Sequence, residues 1–118
     1  PPPIPGDWTT ESGYLAGLRL AEAPDVRAVF AGNDQMALGV MKAFADLGVR
    51  VPEDVSIIGF DGVPESEYFR PALTTVNFDF AEVGRRAVDQ LLRLLDGHDP
   101  GPAPPIRPKL ILRESARV

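Results

Sequence analysis

Three polar residues stand directly behind short apolar runs. Asn33 and Asp34 follow Ala28-Val29-Phe30-Ala31, and Asp61 follows Val55-Ser56-Ile57-Ile58-Gly59-Phe60. In an open α/β sheet the carboxyl ends of the strands face the ligand crevice, so these side chains share one rim if the two runs are neighbours. An Asn side chain offers donors and an acceptor, and an ionised Asp accepts paired hydrogen bonds from vicinal hydroxyls, a combination suited to a polyol. Trp8, Phe78 and Phe80 add flat apolar faces that pack well on the C–H face of a sugar ring. Each residue also has an ordinary structural role open to it. Asn33 or Asp34 can cap the helix that follows, Asp61 can form a turn with Gly62, and Trp8 can act as a hydrophobic staple. Phe78 and Phe80, two apart in an extended segment, share a face, with Asn77 and Asp79 on the other.

Other chemistry finds little support. With no cysteine in the chain, thiol nucleophiles, zinc ribbons and iron–sulfur clusters are excluded. The single histidine, His98, lies in a Gly-Pro-rich segment and reads as a solvated linker residue, so no metal site and no cofactor are expected. Gly59-Phe60-Asp61-Gly62 is too short for a phosphate loop, and Glu65-Ser66-Glu67 reads as a solvated acidic loop.

The elements that must position these residues alternate between helix and strand, the pattern of a parallel α/β sheet. A helix starts at Thr10, with Tyr14, Leu15, Leu18 and Ala21 as its apolar stripe, and ends before Pro24. The run 28–31 reads as a strand buried on both faces. A second helix starts at Asn33 and Asp34, carries Met36, Ala37, Val40, Met41, Phe44 and Leu47 at helical period, and meets a left-handed cap at Gly48. The run 55–60 reads as a central strand ending at Asp61, and Pro64 and Pro71 prevent a long helix in the loop to Leu73. Thr74 to Phe78 is extended. Asp79 then caps an amphipathic helix with Glu82 three residues on and Val83, Ala87, Val88, Leu91, Leu92 and Leu95 on one side, closed by Gly97; Lys109 to Arg113 forms a last strand.

The 118 residues, 44% hydrophobic and 25% charged, suit one soluble globular domain with a core of its own. A net charge of −5 argues against nucleic-acid contact by this piece, because phosphate binding needs clustered Lys and Arg. No apolar run approaches the roughly 20 residues a membrane span requires. Nor does Pro1-Pro2-Pro3-Ile4-Pro5-Gly6 resemble a signal peptide. Four prolines among the first five residues and five from Pro100 to Pro108 mark both segments as irregular.

In sequence the stretch AVFAGNDQMALGVMKAFADLGVRVPEDVSIIGFDGVPESEYFRPALTTVNFDFAEVGRRAVDQLL, from Ala28 to Leu92, resembles the C-terminal effector-binding region of the lac-repressor/gal-repressor family of bacterial transcription regulators. GDWTTESGY, from Gly6 to Tyr14, and the strand from Leu110 to Ser115 extend the resemblance over nearly the whole chain. It implies an α/β, Rossmann-like, parallel-sheet subdomain of the periplasmic-binding-protein-like (type I) fold, truncated. On that reading residues 7–78 are the C-terminal subdomain and 79–97 a helix of an otherwise missing N-terminal subdomain. Residues 98–108 are a proline-rich crossover, and 109–118 the closing strand and tail. The apolar face of the 79–97 helix would then need another surface to cover it.

Carried over by motif position, the family's effector contacts fall on Trp8, Asn33, Asp61, Phe78 and Phe80. Leu38, Met41 and Phe69 fall at its homodimer face, with a plain core role open to each. Two departures, GFDG where GFDD is common and Phe78 in place of a polar residue, imply a more apolar pocket on that side. The expected function is non-catalytic sensing of a small-molecule effector, a sugar, in a cleft of a cytoplasmic homodimeric regulator that contacts DNA only through an absent helix-turn-helix headpiece. A solute-binding protein shares this core. A phosphoacceptor receiver domain is a weaker alternative, because this chain lacks the acidic pair after an early strand and the well-placed late Lys such a domain needs, Lys109 following the proline segment. A carbohydrate enzyme using Asp34 and Asp61 is weaker still, since no third group tunes either acid.

Overall fold

In the computed structural model, which describes residues 2–117, eight elements follow in order. They are α1 (Thr10–Ala21), β1 (Ala28–Phe30), α2 (Asp34–Asp46), β2 (Ser56–Asp61), a 3-10 turn (Pro64–Tyr68), β3 (Thr74–Asn77), α3 (Phe80–Leu95) and β4 (Lys109–Ile111). The strands form one sheet in the order β1-β2-β3-β4. β1 pairs parallel with β2 (Phe30 opposite Ile58), and β2 pairs parallel with β3 (Asp61 opposite Asn77). The chain divides into two compact units. The first runs up to Asn77 and resumes at Leu110, and the second is Phe78–Lys109. No helix among the described residues is long and apolar enough to cross a membrane.

The first unit is built around Ala37, Val40, Met41 and Phe44 of α2, packed with Ala31, Val55, Ile57 and Leu73. Phe44, Ile57 and Leu73 are wholly buried. Both helices begin where capping chemistry dictates: Thr9 Oγ1 accepts from the Ser12 amide, and Asn33 Oδ1 accepts from the Met36 amide. Gly48, at φ +73°, ends α2 in the left-handed conformation that a side chain would oppose.

α1 approaches α2 most closely through small residues, with Leu20 packed against the core at its far end. A Cβ on Gly13 would lie 2.2 Å from the Met36 carbonyl oxygen, and one on Gly39 would lie 2.0 Å from that of Thr10. Leu15, expected in the α1 stripe, is exposed. The returning segment after β4 is woven into the sheet. Ser115 Oγ donates to the Ile57 carbonyl (2.7 Å) and accepts from the Thr74 amide (2.8 Å), and the Arg113 guanidinium donates to Ser66 Oγ and the Leu73 carbonyl. Ser66, read from sequence as part of a solvated loop, is therefore a buried structural residue.

The expectation that β1 is buried on both faces is overturned. β1 is an edge strand, and Ala28 and Phe30 on one of its faces are exposed. They line an open cavity of about 500 Å³ together with Ile4, Trp8, Leu20 and Met36. The apolar run alone could not distinguish an interior strand from an edge strand with one open face.

In the second unit Asp79 caps α3 by accepting from the Glu82 amide (2.9 Å). Glu82 pairs with Arg85 and Arg86, and Asp89 pairs with Arg93. Arg86 also donates to the Pro104 carbonyl (2.6 Å), which ties the proline-rich segment to the helix. No residue of α3 is buried, and Val83, Val88, Leu91, Leu92 and Leu95 are all exposed.

Candidate functional site

The parallel pairing of β1 with β2 meets the condition set by the sequence, so the carboxyl ends of both strands lie on one rim of the first unit. Asn33, just beyond β1, is nearly buried and has two structural tasks. Its Oδ1 caps α2, and its Nδ2 donates to the Trp8 carbonyl at 2.9 Å. One Nδ2 hydrogen and one Oδ1 lone pair are left over, enough for a hydroxyl to use. Trp8 itself has a left-handed backbone (φ 72°), and its indole is two-thirds exposed. The ring lies along Gly32, where a Cβ would approach its Cζ3 to 3.3 Å. Asn33 thus fixes the backbone of the residue that presents the indole.

Asp61 differs from both. It is the last residue of β2, half-buried, with φ 102°, a conformation non-glycine residues seldom adopt. Its carboxylate makes no hydrogen bond or ion pair among the described residues. Burial, then the nearby Asp34 charge, raises its pKa above the ordinary aspartate value. A half-buried carboxylate left without a partner at a strand end has its hydrogen-bonding capacity open to a ligand.

Asp34 is neither a cap nor open to a ligand. It is wholly buried, accepting from Thr75 Oγ1 (2.6 Å) and from the Val63 amide (2.8 Å). These partners carry no local signal, because they lie 29 and 41 residues away. A paired-acid role for Asp34 with Asp61 is incompatible with that burial. Asn77, opposite Asp61 in register, packs its side chain against the turn at Gly62, and this neighbour too went unread in the sequence.

Phe78 and Phe80 belong to the second unit, with ring centroids 6.2 Å apart and planes tilted by 37°. Their expected sharing of an extended face does not hold, because β3 stops at Asn77 and Phe80 already opens α3. Phe80 is exposed. Of the three residues expected at a homodimer face, Leu38 is exposed. Met41, 5% exposed, lies in the core cluster, and Phe69 packs against it. Burial in the core leaves Met41 little surface to offer a partner. Among the described residues no group of three or more His, Cys, Asp or Glu is placed to hold a metal ion.

Comparison with known proteins gives this geometry a lineage. Residues 2–116 match the periplasmic binding protein-like domain. The HTH-type transcriptional repressor PurR of Edwardsiella ictaluri is 40% identical over 114 residues, 95% of this chain and 33% of that protein. The chain thus spans about a third of the length of the curated relatives it matches. Among solved structures, the lac repressor dimer bound to operator and the anti-inducer ONPF superposes with a TM-score of 0.88 at 34% identity, over 96% of this chain and 40% of that one. The Escherichia coli repressor ascG gives 0.83 at 41% identity, over 93% and 40%. A LacI family transcriptional regulator from Arthrobacter sp. FB24, in complex with lactose, gives 0.82 at 42% identity, over 93% and 42%. With residues 2–116 matching that domain and repressors as its relatives, the chain belongs to the periplasmic binding protein-like domain family, in the branch formed by the effector-binding cores of lac-repressor/gal-repressor regulators.

Proposed function

We propose that this chain senses a small polyhydroxylated effector, a sugar, for a bacterial transcription regulator, with Asp61, Asn33 and Trp8 of the first unit as its contacts. The observation that carries the reading is the unpartnered, half-buried carboxylate of Asp61 on the rim shared with Asn33. An ionised carboxylate accepts two vicinal hydroxyls, and the exposed indole of Trp8 offers a ring face. Lactose in the Arthrobacter relative supports a sugar as the ligand class. The parent regulator would be a cytoplasmic homodimer, with Leu38 at its interface, that contacts DNA through a helix-turn-helix headpiece. Effector binding shifts operator affinity only through unequal affinity for two states of that regulator.

Trp8 is the only tryptophan, so its fluorescence reports on the rim directly. Titrating the chain with a panel of mono- and disaccharides, lactose included, is expected to give a saturable change with at least one sugar. Asp61→Ala should weaken that binding about tenfold or more, the scale of a lost charged hydrogen bond. A panel without any saturable response, or an Asp61→Ala variant of unchanged affinity, overturns the reading.

A further inference from the structure

We propose that Asp34 is a positioning residue for Asp61, holding from beneath the turn that presents the Asp61 carboxylate at the rim. The inference rests on the reading of Asp61 as an effector contact and deepens it. Asp61 and Gly62 are consecutive residues with left-handed backbones, at φ 102° and 71°. An aspartate keeps such a conformation only where its surroundings over-determine it. The next residue supplies that constraint, since the Val63 amide donates to Asp34 Oδ2. The other carboxylate oxygen accepts from Thr75 Oγ1 on β3, so one buried side chain at the start of α2 fastens both the exit of β2 and its neighbouring strand.

The surroundings are cut to fit a carboxylate. Gly59 sits where any Cβ would lie 2.2 Å from Asp34 Oδ1, so β2 gives up a side chain in its interior to admit this group. The position of Asp34 in the first turn of α2 favours a negative charge, because the helix N-terminus carries partial positive charge. Asparagine could keep both contacts, its oxygen accepting from the Val63 amide and its nitrogen donating to the Thr75 hydroxyl, so alanine is the substitution that removes the support.

Two measurements on the full 118-residue chain test the proposal. The first needs no sugar. Hydrogen exchange at the Val63 amide is expected to accelerate at least tenfold in Asp34→Ala while the Ile57 amide keeps its protection, and unchanged exchange at Val63 overturns the proposal. Should Asp34→Ala fail to fold, Thr75→Val removes only the hydroxyl, and Thr75→Ser restores it. The second is a double-mutant cycle by Trp8 fluorescence, with lactose as the first probe and otherwise whichever panel sugar binds. Thr75→Val should weaken binding at least threefold, Thr75→Ser should recover it, and in an Asp61→Ala background Thr75→Val should have no further effect. An equal loss in both backgrounds shows that Thr75 and Asp34 act on the cleft without Asp61 and overturns this proposal alone. If the parent chain binds sugar and Asp61→Ala leaves its affinity intact, or if no sugar binds, the functional reading falls first and this one with it.

Discussion

Asp61 carries a proton more tightly in the folded chain than an ordinary aspartate does, because burial and the Asp34 charge both oppose its ionisation. The folded state therefore binds more protons than the unfolded state in the window just above pH 3.8, and stability falls as pH rises through it. At neutral pH the full penalty is present, and below the ordinary aspartate value it is absent. Asp61→Asn removes the charge and keeps a side chain that tolerates the left-handed backbone. The variant should be more stable than the parent near pH 7, with the advantage closing below pH 4. Urea denaturation at the two pH values measures this, and a constant or inverted difference would count against it. A residue kept at a cost to stability fits one held for binding. Its place at a strand end was legible in the sequence, since an apolar run followed by Asp-Gly marks that position. Its left-handed backbone and its neighbour Asp34 were not, because both depend on contacts brought together from distant parts of the chain.

Helices α1, α2 and α3 were legible because each combines an N-cap residue with an apolar period, and caps and periods are local signals. How α1 docks was not legible. A search for apolar stripes weighs Leu15 and Leu18 and passes over Gly13 and Gly17, yet the helices approach where side chains are missing. That difference gives a prediction with opposite signs at two helical glycines. Gly13→Ala would put a methyl group 2.2 Å from the Met36 carbonyl oxygen and 2.6 Å from its Cα, atoms of backbone that cannot swing aside. It should cost about 3 kcal/mol, the upper end of overpacking, seen as a lower urea midpoint at unchanged slope. Gly84→Ala in α3 meets nothing within 4 Å. There the better helix propensity of alanine should stabilise α3 locally by about 0.5–1 kcal/mol and raise far-UV helicity. A harmless Gly13→Ala would show that α1 can slide on α2.

The whole molecule is uneven in what holds it together. The first unit has a buried core centred on Phe44, Ile57 and Leu73, a polar clasp from Ser115 and Arg113, and two capped helices. α3 has no buried residue and relies on its Asp79 cap, the ion pairs of Glu82 and Asp89, and the bond from Arg86 to Pro104. Exposed i,i+4 pairs contribute only about 0.3–0.5 kcal/mol each, and a helix of 16 residues is marginal in water without a packed face. Hydrogen exchange should therefore separate the units, with amides of α3 exchanging at least 100-fold faster than those of α2 and β2. One common rate would show instead that Val83, Val88, Leu91 and Leu95 are covered in solution. A charge introduced at Leu91 distinguishes the cases: Leu91→Glu leaves exchange of a solvated α3 nearly unchanged, whereas in a covered one it should strip the protection from the whole helix.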